Sequence, residues 1–317
     1  MNEEKAFIYL KSRSVRSVIS TGYRFYSAHF KAIFAYSWIG ALIYALLKGS
    51  INTFYVIKYP YLLAVSTMAE INPYSIPEDA LLTYCILIGC TILSFFLFPL
   101  IVSFGFSVLR YHKEQHAIPC KVKWYSTDYR TLWRCVKGFL CVAVLLALVT
   151  VIIVTIDHYL LARLATVTRI VALCVLGILA MMVNTPLLAV GTQYVIGHEA
   201  FWSSLIPNYR IAFRHWGLIF LTALVNILVS LLLLGITTLP ALILLTAHIK
   251  AQEGALNGDP MGIPDYMHSL TWIVFVIAAF IQAFVILLIL HPFYYMCGAI
   301  EQQEVEKAQL KNQPEEK

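Results

Sequence analysis

Five stretches of this sequence run for nineteen residues or more without one charged side chain: Ala80–Leu109, Gly138–Ile156, Ile170–Gly197, Trp216–Ala247 and Ser269–Leu290. A helix needs about 20 apolar residues to cross the roughly 30 Å hydrocarbon core of a bilayer. Inside that core each backbone N–H and C=O must find its partner within the element, so an apolar run of this length predicts a helix. A sixth, shorter run, Ala32–Leu47, is flanked by Lys31 and Lys48, whose long stems let their ammonium groups reach the interface. Composition agrees. Apolar residues make up 60% of the chain and charged residues 13%, against roughly 45–50% and 25% in soluble domains. The expected fold is all-α: a polytopic membrane protein with six transmembrane helices. Its spans lie near 32–48, 80–109, 138–157, 170–197, 216–247 and 269–297, within a membrane domain of 32–300. A basic arm, 1–31, precedes them and a polar tail, 301–317, follows. No cleavable signal is expected, because the first thirty residues are basic and aromatic.

Lysine and arginine set the orientation of such a chain. The arm, the loops after spans two and four, and the tail together hold eighteen of the 23 basic residues. The opposite side holds Lys48, Lys58, Arg163, Arg169 and Lys250. Both termini are therefore expected in the cytoplasm, and the membrane is expected to be the cytoplasmic one of a bacterium. The segment Gly49–Asp79 reads as an outer loop whose Phe54, Tyr55, Tyr59 and Tyr61 form an interfacial belt. Ile249–His268 reads as an outer turn, from Asn257-Gly258 and Asp259-Pro260. The seven cysteines are odd in number and four lie in apolar runs, which suits packing better than a disulfide framework.

An internal repeat is expected. Tyr23-Arg24, Tyr129-Arg130 and Tyr209-Arg210 each lie shortly before an odd-numbered span. Each even-numbered span carries a proline and then a glycine: Pro99 and Gly105, Pro186 and Gly191, Pro292 and Gly298. This order predicts a threefold repeat of helical hairpins, with the three Tyr-Arg pairs at equivalent inner-face positions. The arm itself reads as an amphipathic helix. Val15, Val18, Ile19, Gly22, Tyr26 and Phe30 follow helical spacing, while Arg13, Arg16, Arg24 and Lys31 take other angles and face headgroups.

The stretch Pro186-Leu187-Leu188-Ala189-Val190-Gly191, then Tyr194, a short polar linker and Tyr209-Arg210, resembles a pattern of bacterial six-span membrane proteins. These are the DUF975/YciC-like proteins and the membrane domain that accompanies some glycerophosphoryl diester phosphodiesterases. The resemblance extends to Tyr23-Arg24 followed by Lys31, and it implies a fold rather than a chemistry. The soluble segments are too short for a phosphodiesterase domain, and Gly49–Asp79 has no counterpart in the pattern.

Candidate chemistry is sparse. His112 and His116 are four apart, which on a helix places both imidazoles on one face, as a weak metal-site candidate. A diiron site needs further histidine boxes, and none follows. Asp157-His158 reads as the outer end of span three rather than an acid–base pair. No carboxylate lies deep in a span, unlike most proton- or sodium-coupled carriers. The polar residues at depth are Asn184, Thr185, Asn226, Gln282 and His291. Asn184 and His291 precede the repeat prolines and either line a polar site or join helices by hydrogen bonds. The leading expectation is a non-enzymatic scaffold or accessory protein. It would hold anionic lipid or a membrane-protein partner through Tyr23, Arg24, Tyr129, Arg130, Tyr209 and Arg210. A transporter or channel for a small neutral or lipid-like solute and a membrane metalloenzyme are the alternatives. No cofactor and no nucleic acid is expected.

Overall fold

The computed structural model describes residues 7–71, 78–115, 129–161, 166–256, 258, 264 and 266–312. Among them there is no β-strand, and six helices are long and apolar enough to cross a membrane. In chain order the α-helices are α1 (Val15–Ala28), α2 (Phe30–Ile71), α3 (Glu78–Gln115), α4 (Tyr129–Ile156), α5 (Thr166–Ile196), α6 (Phe201–Arg214), α7 (Trp216–Leu256) and α8 (Tyr266–Asn312). Helices α1 and α6 are short and amphipathic; the other six carry the spans.

A charge ends a span but does not end a helix, and one expectation is corrected on that ground. The segment Gly49–Asp79 is no loop at its start: α2 continues through Lys58 to Ile71, 42 residues in all. The expected tail likewise begins as helix, since α8 has 47 residues and runs to Asn312. At 1.5 Å per residue α8 is about 70 Å long, more than twice a bilayer core. Gly258 has φ +85°, the left-handed backbone that glycine adopts without steric cost; Asn257 lies outside the described residues.

The chain divides into two compact units. The first comprises Met1–Phe34, Gly105–Leu228 and Leu288–Lys317; the second comprises Ala35–Phe104 and Val229–Leu287. In the second, polar side chains on one helix cap groups on another. The Tyr55 hydroxyl donates to the Leu87 carbonyl at 2.9 Å and also bonds Thr91. The Trp272 indole donates to Ser50 at 2.9 Å, and His248 bonds Thr271 at 3.0 Å. Gly40 and Gly49 let Phe104 and Val276 approach where a Cβ would collide with them.

The first unit contains the arm, the α4–α5 hairpin and α6. Asp157 and Arg169 join the two helices of the hairpin at its closed end by two parallel bonds of 2.7 and 2.6 Å. Asp157 is thus a structural clasp. Gly138 brings α4 within van der Waals reach of Tyr194. Beyond that, α4 and α5 expose apolar side chains on most of their surface, as helices solvated by lipid do.

Two helix corners in this unit share one design. Helices α1 and α6 both have 14 residues, carry the Tyr-Arg pair at their ninth and tenth positions, and end at a histidine, His29 or His215. At each corner the histidine N–H bonds back, to Phe25 O at 3.0 Å or to Ala212 O at 3.0 Å, and its carbonyl accepts the first amides of the next helix. The fourth and twelfth positions are buried in both: Val18 and Tyr26 in α1, Ser204 and Ala212 in α6. Tyr129 instead opens α4 directly, and six residues later Cys135 lies within an unbroken helix.

Candidate functional site

A proline inside a helix leaves the carbonyl four residues earlier without its usual amide donor. Pro186 does this to Met182 in α5. The Trp216 indole N–H donates to that carbonyl at 3.1 Å, and the Tyr209 hydroxyl donates to the neighbouring Val183 carbonyl at 2.8 Å. The α6–α7 corner is therefore seated on the bend of α5. The α1 arm sits on the Pro292 bend of α8 in a comparable way. A Cβ on Gly22 would lie 2.6 Å from Pro292 N, so only glycine admits this approach. At the head of α4, Thr131 is 3.4 Å from Arg110 of α3.

Beneath α1 the unit closes around aromatic rings. Phe25 is fully buried between His112, at 4.8 Å between ring centroids, and His291, at 5.6 Å. Tyr26 covers His291 edge-on at 5.1 Å. His112 Nδ1 lies 2.9 Å from the Tyr294 hydroxyl, so one imidazole nitrogen is held by a phenol. Residues before α1 fold back over this core. Arg13 is buried, donating to Ile8 O at 2.5 Å and Tyr9 O at 3.2 Å with its guanidinium over the Tyr295 ring. Burial pulls the Arg13 guanidinium below its usual pKa. The expected headgroup-facing position of Arg13 is thus overturned: two carbonyls and a ring hold its charge inside. Tyr9 reaches Glu301 at 2.8 Å, and burial, ahead of the neighbouring thiol and carboxylate, drives its phenol well above the ordinary range. Glu304, one turn on, takes Arg214 at 3.1 Å and His215 at 2.8 Å. The first helical turns of the expected polar tail thereby fasten the segment before α1 and the α6–α7 corner.

Arg134 organises the remaining side. It caps the last turn of α5, where carbonyls lack helical donors, by donating to Tyr194 O at 3.0 and 2.5 Å and to Glu199 O at 2.7 Å. Its guanidinium lies over the Tyr194 ring at 4.5 Å. A cation at a helix C-terminus is favoured by the backbone dipoles. A cavity of about 670 Å³ opens beside it, between the Tyr129–Cys141 stretch of α4 and the start of α6. A second, of about 630 Å³, lies between Lys113, Gln193, Ser204 and Glu301.

The structure sorts the expected site residues. Arg24, Arg130 and Arg210 are exposed, as is Tyr129; Tyr23 and Tyr209 are half-buried. Tyr23 does not face lipid with its hydroxyl, which donates to Asn226 of α7 at 2.6 Å. That bond also makes buried Asn226 an interhelical link. Burial raises the Tyr23 and Tyr209 phenols above their usual pKa. Asn184 is half-buried, while His291 is wholly buried against Phe25 and Tyr26 and lines neither cavity. His112 points at Tyr294; His116 lies outside the described residues. No group of three metal-ligating side chains occurs among the described residues. Sequence reasoning missed Arg134, Trp133, Lys137 and Trp202 as a set. The available signal was Trp133-Arg134 and Lys137 standing at the boundary of the charge-free run that starts at Gly138.

These features define a multi-pass α-helical membrane protein whose first unit gathers cations and aromatic rings at helix ends. Comparison with protein-family models, with curated proteins and with solved structures finds no match to the chain.

Proposed function

We propose that this chain is a non-enzymatic scaffold or accessory protein of a bacterial cytoplasmic membrane, holding anionic lipid or a partner protein on its cytoplasmic face. Both termini lie in the cytoplasm in this reading, which rests on the lysine and arginine bias. The observation that carries it is the exposure of Arg24, Arg130 and Arg210, each standing shortly before or at the start of an apolar helix long enough to cross a membrane. Exposed cations beside an apolar span are attracted to anionic headgroups.

The threefold repeat belongs to the same proposal. The matched α1–His29–α2 and α6–His215–α7 corners support it. So does the order of docking: the third arm sits on the Pro186 bend, the first on the Pro292 bend, and the head of α4 bonds α3. In that order each Tyr-Arg segment leans on the even-numbered span of the preceding hairpin, closing a ring of three. The continuous α4, with no corner at Cys135, is the variant member.

Replacing Arg24, Arg130 and Arg210 together by Gln tests the function. Each exposed cation near an anionic surface contributes about 1 kcal/mol. Binding of the purified chain to anionic liposomes should therefore weaken by about 3 kcal/mol at low salt, with insertion intact, and the difference should shrink as salt screens it. Unchanged binding in a folded triple variant removes the reading.

A further inference from the structure

From the cavity beside Arg134 we infer a specific site for one anionic phospholipid, with its phosphate held by Arg130 and Lys137 and an acyl chain along α4. The inference rests on the lipid-binding reading above and assigns it a place.

Charge comes first. Arg130, Arg134 and Lys137 are three, four and seven residues apart on α4, so all three line the same cavity. Arg134 is committed to the end of α5, which fixes the cavity wall. Arg130 and Lys137 are exposed at its mouth. Glu199 also lines it, and its carboxylate leaves the set net positive. The exposed rims are Trp133 and Trp202, 50% and 69% accessible, and Lys137 lies over the Trp133 ring at 5.2 Å. Tryptophan beside cations is the composition of the headgroup level of a bilayer.

Depth comes second. Lys137 is the last charge on α4 before the nineteen uncharged residues Gly138–Ile156. Its ammonium group therefore stands where phosphates stand, at the boundary of water and hydrocarbon. Below it the same helix face continues as Leu140, Val144, Leu148 and Val151, at spacings of four, four and three, each exposed. A soluble anion has no use for that stripe, whereas a diacyl lipid anchored by its phosphate at Lys137 lies along it. This continuity from cation to apolar stripe selects a phospholipid over free phosphate or an acidic peptide.

Native mass spectrometry of the full chain tests the site. The protein is released into mild detergent from nanodiscs of equal phosphatidylglycerol and phosphatidylcholine. The expected result is one phosphatidylglycerol retained per chain, with phosphatidylcholine at background. The about 1 kcal/mol per cation quoted above corresponds to about fivefold, so Arg130→Gln with Lys137→Gln should lower retention about thirtyfold. Lys250→Gln with Lys311→Gln, the same charge change at two exposed lysines away from the cavity and from the three arginines, should leave it intact. If the first pair fails to fold, Lys137→Gln alone should give the fivefold loss. Equal loss from both pairs, or no loss from the first, overturns the site. Displacement of the lipid by millimolar inorganic phosphate also overturns it, by showing a soluble occupant. If liposome binding still falls in the Arg24, Arg130 and Arg210 triple variant while retention does not depend on Lys137, the broader function stands and only this site is lost.

Discussion

The seating of Trp216 on the carbonyl freed by Pro186 makes a quantitative prediction. Changing Trp216 to Phe keeps a ring to stack on Phe220, whose centroid is 4.7 Å away, and deletes the indole donor that lies 3.1 Å from Met182 O. A hydrogen bond between membrane helices is worth about 0.6–1.7 kcal/mol, to which the smaller ring adds a packing loss of the same order. Changing Pro186 to Ala restores an amide at position 186, able to bond Met182 O within α5. In that background the indole has lost its particular task, and Trp216→Phe should cost less by about 1 kcal/mol. The four proteins of this cycle can be compared by reversible unfolding in mixed micelles. A coupling near 1 kcal/mol is expected, since residues sharing one partner are not additive. Equal costs of Trp216→Phe in both backgrounds, within about 0.3 kcal/mol, would refute the argument that α7 starts where it does in order to satisfy the bend of α5.

Gly22→Ala should destabilise by about 1–3 kcal/mol, because the new methyl meets Pro292 backbone atoms at 2.6 and 2.7 Å, which cannot rotate away. Gly217→Ala, with nothing within 4 Å of its added carbon, is the matched control and should be neutral or slightly stabilising in thermal unfolding. For topology, single cysteines at the exposed positions Arg24 and Arg210 should react with an impermeant thiol reagent only from the cytoplasm, and one at exposed Lys250 only from outside. Native Cys135 and Cys297, both buried, should stay silent until the protein is denatured. Labelling of Arg24→Cys and Lys250→Cys from one side would end the six-span proposal.

The six spans were legible because lipid imposes a local rule. About 20 uncharged residues, a helix and no unpaired backbone are read from any single segment without knowing its neighbours. The same rule hid the true lengths of α2 and α8. Lys58 ends an apolar run, and Glu301 and Glu304 begin a polar one, yet each is an ordinary helix residue once water or a partner meets its charge. The Tyr-Arg pairs were visible as a pattern, but the helix corners at His29 and His215 were not, since no glycine or proline marks them. What places those corners is the bend they rest on, Pro292 for the arm that carries Gly22 and Pro186 for the corner at Trp216, neither of them a sequence neighbour. Arg13 shows the limit most sharply. Its sequence neighbourhood is that of a cation for headgroups, and its burial follows from Tyr295 and the carbonyls of Ile8 and Tyr9 being brought around it. The cavity beside Arg134 is intermediate: its α4 wall, from Tyr129 to Cys141, lies on one helix and can be read by counting residues, whereas the opposing wall is brought there by the bonds of Arg134 to Tyr194 O and Glu199 O. Solvent preference is a property each residue carries with it; a contact between distant residues depends on every bend in between, and that information is held by packing.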